Sequence, residues 1–281
     1  MQFQKESSVL KYLRQPQFEA IEIYFYLRIV EGSPTVYDLY KKYYPKPKDL
    51  RDGFGLNIGD SILLELTENG EDLFNKILND DEFCKKNKLE AIRETILMKY
   101  PSYILALTMG TGKTNLIGCI IALEFCLALE YPDANFMKNA LVFAPGTTIL
   151  ESLKEMTEIP FEKILPARFY KQFLANIKIV YARDGQKNLQ IEKGGQFHLI
   201  ITNTEKIKLR AKITDQELDF EKKEKLEHLN LEANHRLKAI TSLPNLGIFS
   251  DEAHNTYGQD LDKALKRVRE TIDYIASETN S

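Results

Sequence analysis

The chain has 281 residues, with 38 Lys and Arg against 41 Asp and Glu and a formal net charge of −3. That balance excludes a globally basic surface, so any contact with nucleic acid must come from a local patch. Three cysteines (Cys84, Cys119, Cys126) form neither an even disulfide set nor a metal-ligand spacing, which predicts a reducing, cytoplasmic setting. The N-terminus lacks a charged-then-apolar leader and no apolar run approaches the roughly 18 residues of a membrane span, so export and membrane insertion are not predicted.

In chain order, a proline turn within residues 11–20 feeds an apolar helical run from Ile21 to Val30. Ser33-Pro34 then signals a helix over Thr35 to Tyr44, with proline in its first turn. Pro45-Lys-Pro-Lys48 breaks the chain, residues 53–60 are rich in glycine and polar residues, and helices are predicted again over Asp72 to Leu78 and Asp81 to Tyr100. Residues 32–100 therefore read as a small, mainly helical insertion, with a winged-helix type as one form it could take. Within it, the segment from Tyr37 to Arg51 interleaves aromatic rings with five cations. Two readings are open: a stacking platform flanked by phosphate-seeking lysines, or a helix with inward tyrosines and solvated lysines.

The stretch Tyr103-Ile-Leu-Ala-Leu-Thr-Met-Gly-Thr-Gly-Lys-Thr114 organises the remainder. Tyr103 to Leu107 has the length and apolarity of a buried parallel strand. Two glycines follow where backbone amides must crowd together, and Lys113-Thr114 opens an apolar helix predicted to run to Glu130. Such a turn cradles a triphosphate: loop amides and the helix N-terminus face the anion, the lysine reaches the terminal phosphates and the threonine hydroxyl holds Mg²⁺. The general pattern would place a further glycine at Leu107, so on its own a chance Gly-Lys-Thr turn remains open.

Downstream, Lys138 to Leu150 reads as a short strand that ends at a proline turn and enters a helix through threonines. Thr147 is either an ordinary helix cap or a contact to a nucleic-acid backbone. Strands are predicted over Ile177 to Tyr181 and Phe197 to Thr204, the second with the polar exit Thr202-Asn203-Thr204. His198 sits inside the second strand with no carboxylate or second histidine near it in sequence, and is not expected to be a ligand or base. Asp215 to Ile240 reads as a long solvated helix with a leucine stripe. Finally Leu246-Gly-Ile-Phe-Ser-Asp-Glu-Ala-His254 is a strand running into two carboxylates, 138 residues beyond Lys113. In phosphoryl transfer, Asp251 suits the Mg²⁺ shell and Glu252 the activation of water. Both motifs end strands, where open α/β sheets bind ligands.

Taken together, these stretches resemble the first RecA-like domain of superfamily 2 DEAH-type helicases, and within them the type III restriction (Res) subunit-like group. The residues that carry the resemblance are Leu13-Arg-Gln-Pro-Gln-Phe-Glu-Ala20, Thr108-Met-Gly-Thr-Gly-Lys-Thr114, Phe197 to Ile207 and Ser242 to Gly258. It covers residues 11–31 and 101–258 and implies an α/β, three-layer RecA-like P-loop fold with a mainly helical insertion near the N-terminus. The implied domains are a Q-motif-like N-terminal helix packing on the ATPase core (1–31), the insertion (32–100) and the ATP-binding domain (101–281).

The resemblance also implies site residues. Gln17 would read adenine, and Gly110, Thr111, Gly112, Lys113 and Thr114 would hold ATP. Thr114 and Asp251 would hold Mg²⁺, with Lys113, Asp251 and Glu252 catalytic. Thr147, Thr148, Thr202 and Asn203 would meet nucleic acid. The implied activity is that of a DNA-dependent ATPase, a helicase or translocase. Its implied partners are double-stranded DNA and a methylation-specificity subunit, in restriction or phage defence. Neither a motif III nor an arginine-bearing motif VI can be read, so the chain is expected to be the N-terminal piece of a longer protein and weakly active by itself. An arginine finger typically contributes about three to five powers of ten in turnover. Two alternatives stand beside this: a stand-alone DEAH-box helicase or remodeller acting on RNA or DNA, and a non-catalytic nucleotide-sensing module that binds a partner through 32–100. The carboxylate of Glu252 argues against the second.

Overall fold

A computed structural model of the chain describes residues 12–66, 70–108, 110–144, 155–181, 197–203, 236–250 and 263–279. The chain divides into two compact units, one formed by Met1–Ile21 and Ala106–Ser281, the other by Glu22–Leu105.

The first unit is built on a four-stranded parallel sheet of order β2-β3-β1-β4, with β1 Asn139–Ala144, β2 Ile177–Tyr181, β3 Phe197–Asn203 and β4 Leu246–Ser250. All four strands were legible as apolar runs closed by proline, glycine or polar residues. A parallel sheet with helical crossovers makes this an α/β, RecA-like P-loop domain, as expected. β1 is the most enclosed strand, with Ala140, Leu141, Val142 and Phe143 fully buried.

Helix α8, Lys113–Glu130, covers the residues predicted for it. It is apolar on nearly every side and correspondingly buried, and Phe125 packs on Phe197 of β3 with ring centroids 4.9 Å apart. Cys119 and Cys126 are core fillers in α8, as expected, and burial pushes both thiols up to about 12, which leaves them unreactive. The carboxylate of Glu124, fully buried in the same helix, accepts from the Met137 backbone N–H at 2.8 Å, tying α8 to the chain just before β1.

The sheet register is set where the strands start. Asn245, at φ 49°, donates through Nδ2 to Asn135 Oδ1 (3.1 Å) and to the Phe136 carbonyl (3.0 Å). Its own carbonyl accepts from the N–H groups of Lys138 (3.0 Å) and Asn139 (3.2 Å). Asparagine tolerates this left-handed conformation better than most residues. Asn139 Nδ2 donates to the Pro244 carbonyl at 2.7 Å, which turns its Oδ1 toward His198 Nδ1 at 2.9 Å. Because that oxygen can only accept, Nδ1 of His198 carries the proton. His198 is thus a buried core residue, and through Asn139 it joins β3 to β1 and the start of β4.

Tyr103 to Leu107 departs from expectation: it forms no strand and joins no ladder among the described residues, and Ile104 is 64 % exposed. Exposure alternates along it, which gives the period of a strand without the ladder. The reason is a tether: the Tyr103 hydroxyl donates to the Pro34 carbonyl at 2.6 Å, and the chain leaves the second unit at Leu105.

Every regular element described in the second unit is helical: after the end of helix α1 (Gln15–Phe25) and a π-helical turn Tyr26–Val30 come α2 Val36–Tyr43, α3 Pro47–Phe54, α4 Asp60–Glu65, α5 Gly70–Asn79, α6 Asp81–Lys86 and α7 Glu90–Ile96. No strand that could form a wing occurs among its described residues. Thr35 and Asp38 close a capping box at the start of α2. Pro47 starts α3 instead of only breaking the chain, because proline is acceptable in a first helical turn. The predicted helix from Asp81 to Tyr100 is interrupted at Lys88, which adopts φ 56° between α6 and α7.

The aromatic–cation segment is decided by packing. Tyr37, Tyr40 and Tyr44 lie on the core formed around Leu50, Leu73, Phe74 and Ile77, with Tyr37 edge-on to Phe74 at 5.2 Å. Lys41 pairs with Glu71, Lys42 with Glu31 at 2.5 Å, and Arg51 with Asp52 and Asp60. The Glu31 carboxylate also accepts from the hydroxyls of Tyr43 (2.9 Å) and Tyr26 (3.0 Å). Lys42 above all, then the two tyrosines, holds that carboxyl below its ordinary range. Three of the four tyrosines pack inward, Tyr43 stays exposed with its hydroxyl on Glu31, and most of the cations are already neutralised. Glu22–Leu105 as a whole carries 15 acidic against 12 basic side chains. No described helix is long and apolar enough to cross a membrane.

Two outcomes follow. Asn139→Ala removes the partner of both His198 and the Pro244 carbonyl and should destabilise by about 1–3 kcal/mol, read from the urea midpoint at unchanged slope. The charge reversals Lys46→Glu and Lys48→Glu together should change DNA affinity by less than about twofold and leave its salt slope unaltered, as measured by fluorescence anisotropy. A clear drop in either would return the segment to the nucleic-acid interface.

Candidate nucleotide-binding site

The site begins with the way helix α1, Gln15–Phe25, is capped. The Gln17 N–H donates to the Arg14 carbonyl at 3.0 Å, and Gln17 Oε1 accepts from the Arg14 N–H at 2.8 Å. This is the return half of a capping box, with Gln17 three residues beyond the cap and Pro16 in the first turn. The cap spends the oxygen of the amide and leaves the nitrogen free. Nε2 then donates to the Gly112 carbonyl at 2.8 Å, and Gln17 is only 2 % exposed. A glutamine is required because one end must accept and the other donate.

Gly112 caps α8 at φ 77°, and its carbonyl also accepts the first helical bond, from the Leu116 N–H at 3.1 Å. Gly110 has φ 74°, and its carbonyl accepts from the Arg14 guanidinium. Between them Thr111 is buried and its hydroxyl donates to the Thr108 carbonyl at 2.7 Å. A Cβ on Gly112 would stand 2.7 Å from Gln17 Nε2, so glycine is needed there for conformation and for space alike.

The loop carbonyls of Gly110 and Gly112 are therefore turned toward α1. No side chain caps the start of α8, so its first N–H groups keep the unpaired donors of a helix N-terminus. Alternating left-handed glycines, outward carbonyls and an uncapped 18-residue helix fit a bound polyphosphate. Lys113 and Thr114 occupy the first two helical positions, both half-buried. The loop residues Gly110 to Thr114 and Gln17 are thus brought together.

The other predicted groups are spread along the ends of the strands. β1 Phe143 is in register with Thr202 of β3 and Ser250 of β4, so the three strands end level with one another. Asp251 and Glu252, which follow Ser250 in sequence, lie outside the described residues, as do Thr147 and Thr148. Asn203 ends β3 opposite Ala144. Thr202 is 1 % exposed, in a strand whose residues Phe197 to Thr202 are buried on both faces, as is usual for a parallel sheet.

Arg14 and Glu124 were given no role by the sequence. Arg14 lies in the Arg-Gln-Pro-Gln17 order, but a cap built on its backbone gives no sign of what its guanidinium touches. Nothing in the composition of α8 singles out a carboxylate that ties down a backbone N–H.

With that geometry in view, the family comparison is direct. The family model for the type III restriction enzyme, res subunit, matches residues 82–279, more than two thirds of the chain. The chain belongs to that family. No curated protein and no solved structure matches it. The Res-family match carries with it a helicase-like, P-loop ATPase domain of superfamily 2, as the resemblance implied. Its extent differs from the stretch the motifs covered: it begins within the second unit at 82, takes in α7, and leaves out α1 with Gln17.

Gly110→Ala and Gly112→Ala both force alanine into left-handed backbone, worth about 1–2 kcal/mol each. Only the second also collides with Gln17, since Gly110 has open space about its Cβ position. Gly112→Ala is therefore expected to melt about 2–4 °C below Gly110→Ala by calorimetry, a further 1 kcal/mol or so. Gln17→Glu, which keeps the cap but loses the donor toward Gly112, should resemble it. Equal melting of all three variants would remove the clasp between α1 and the loop.

Proposed function

We propose that this Res-family domain binds Mg²⁺–ATP and, in its working assembly, hydrolyses it in a DNA-dependent manner to drive translocation along, or opening of, duplex DNA. The observation that supports the reading most directly is the phosphate loop itself, clasped from α1 by Gln17 and Arg14 and opening the uncapped α8. Family membership supports the class of activity.

In this reading the Lys113 ammonium, on the first turn of α8, meets the terminal phosphates. Thr114 and Asp251 hold the metal. Glu252 takes the proton of the attacking water. When bound, Mg²⁺–ATP supplies a terminal phosphoryl group with its charge already partly neutralised. The loop amides and the α8 N-terminus add fixed positive dipoles, which need no reorganisation during reaction. Gln17 retains one N–H and one oxygen lone pair after its two bonds, the donor and acceptor that the N7 and N6 edge of adenine asks for.

The proposed organisation keeps α1 with the ATP-binding domain (1–31 with 101–281) and treats 32–100 as an insertion. Restriction or phage defence is the proposed setting, with a methylation-specificity subunit as partner. The Res-family match supports that setting, and the carboxylate of Glu252 favours a turning-over ATPase over a simple sensor.

Lys113→Ala is expected to weaken binding of a fluorescent ATP analogue at least about tenfold, roughly 1.4 kcal/mol, with the melting temperature unchanged within a degree or so. Glu252→Gln should keep wild-type nucleotide affinity yet abolish DNA-stimulated phosphate release. Turnover that survives Glu252→Gln would strip Glu252 of its role. A folded wild-type chain that fails to bind ATP with Mg²⁺ would overturn the reading altogether.

A further inference from the structure

We propose that Arg14 is a positioning residue for the phosphate loop: its guanidinium holds the Gly110 carbonyl outward so that the loop N–H groups stay turned to the anion. The inference rests on the nucleotide-binding reading above. Its physical basis is the geometry of a loop that must alternate. A concave row of N–H groups forms when successive residues alternate between left- and right-handed conformations, and their carbonyls then point the opposite way. Gly110 and Gly112 are the two left-handed positions, at φ 74° and 77°.

Each of those two carbonyls has a dedicated donor from the start of α1. Gln17 Nε2 serves Gly112 at 2.8 Å, and the Arg14 guanidinium serves Gly110. Thr111, between them, is held by its hydroxyl bond to the Thr108 carbonyl. The three anchors are complementary. Gln17 fixes the end of the loop where α8 begins, Thr111 fixes its middle, and Arg14 fixes the first glycine, where a Cβ would meet nothing within 4 Å. Gly110 has no steric need for glycine beyond its left-handed φ, and the Arg14 guanidinium is the side-chain donor to its carbonyl. With no glycine at Leu107, the loop has no third freely rotating position to compensate.

Arg14 suits the task for a second reason. It is the residue whose backbone N–H is bonded by Gln17 Oε1 and whose carbonyl accepts from the N–H groups of Gln17 (3.0 Å) and Phe18 (3.1 Å). The cap therefore fixes the Cα from which the guanidinium reaches out. Cap and loop are one bonded assembly: Arg14 backbone to Gln17 side chain to Gly112, and Arg14 side chain to Gly110.

A residue that positions the loop acts on the phosphates whatever base they carry. Arg14→Ala and Arg14→Lys are compared with wild type for displacement of a fluorescent ATP analogue by ATP and by inorganic tripolyphosphate, both with Mg²⁺. Arg14→Ala is expected to weaken both competitors by the same factor, about five- to twentyfold, and Arg14→Lys to recover most of the loss, since one donor suffices for one carbonyl. Melting of both variants should stay close to wild type, because the α1 cap uses only the backbone of Arg14. Unchanged affinity for both competitors sinks the proposal, as does a loss confined to ATP, which would make Arg14 a base contact. A parallel collapse of melting temperature in Arg14→Ala and Arg14→Lys also counts against it, by showing a merely structural role. A wild-type chain that binds neither competitor refutes the nucleotide reading instead.

Discussion

The structure depends on a single amide. Gln17 is shared between two bonds of opposite polarity, accepting from the cap of its own helix and donating to the carbonyl that begins α8. Because both partners are backbone groups, the side chain converts the orientation of one helix into the conformation of a loop 95 residues away in sequence. A hydrogen bond of this kind typically contributes about 0.5–1.5 kcal/mol, which would not by itself hold a loop. Its effect is larger because Gly112 is a conformation that almost any side chain would resist. The clasp selects among states that glycine alone leaves nearly equal in energy.

The same economy governs the sheet. Asn139 and Asn245 satisfy backbone and side-chain groups at the starts of β1, β3 and β4, and so fix a register that is read out at the opposite ends of those strands. A slip of one residue would exchange the faces of a whole strand. The polar bonds at one edge are thus what keeps Phe143, Thr202 and Ser250 level at the other. The buried side chains of Leu141, Val142 and Phe143 in β1 contribute about 1.5–3 kcal/mol each through their area but specify no register on their own.

How much of this was legible in the sequence follows from the same physics. The four strands and α8 could be read because each is an apolar run with turn residues at its ends, and β1 to β4 and α8 are where they were expected. Tyr103 to Leu107 has the same local signature, yet it is tethered through Tyr103 to Pro34, a contact with no local trace. In the tyrosine–lysine segment, composition left stacking platform and inward packing both open. The core around Phe74 and the partners Glu71, Glu31 and Asp60, all outside the segment, decide it. Gln17 was legible as a motif but its bonds were not. Arg14 was visible in the same motif and carried no signal, because a guanidinium on a carbonyl needs no special spacing. Asp251 and Glu252 stand on sequence alone.

The position of the second unit explains why a contiguous match and the site do not coincide. The chain crosses between units at Ile21–Glu22, inside α1, and at Leu105–Ala106. The first crossing lies four residues beyond Gln17, and the second lies five residues before Gly110 and leads straight into the loop. Everything from Glu22 to Leu105 is thus interposed between two groups that are hydrogen-bonded to each other. The Res-family match begins at 82, within the second unit, and so takes in the loop and the strands but not α1. What restores α1 to the site is the geometry of two donors and two carbonyls, which is indifferent to how many residues separate them.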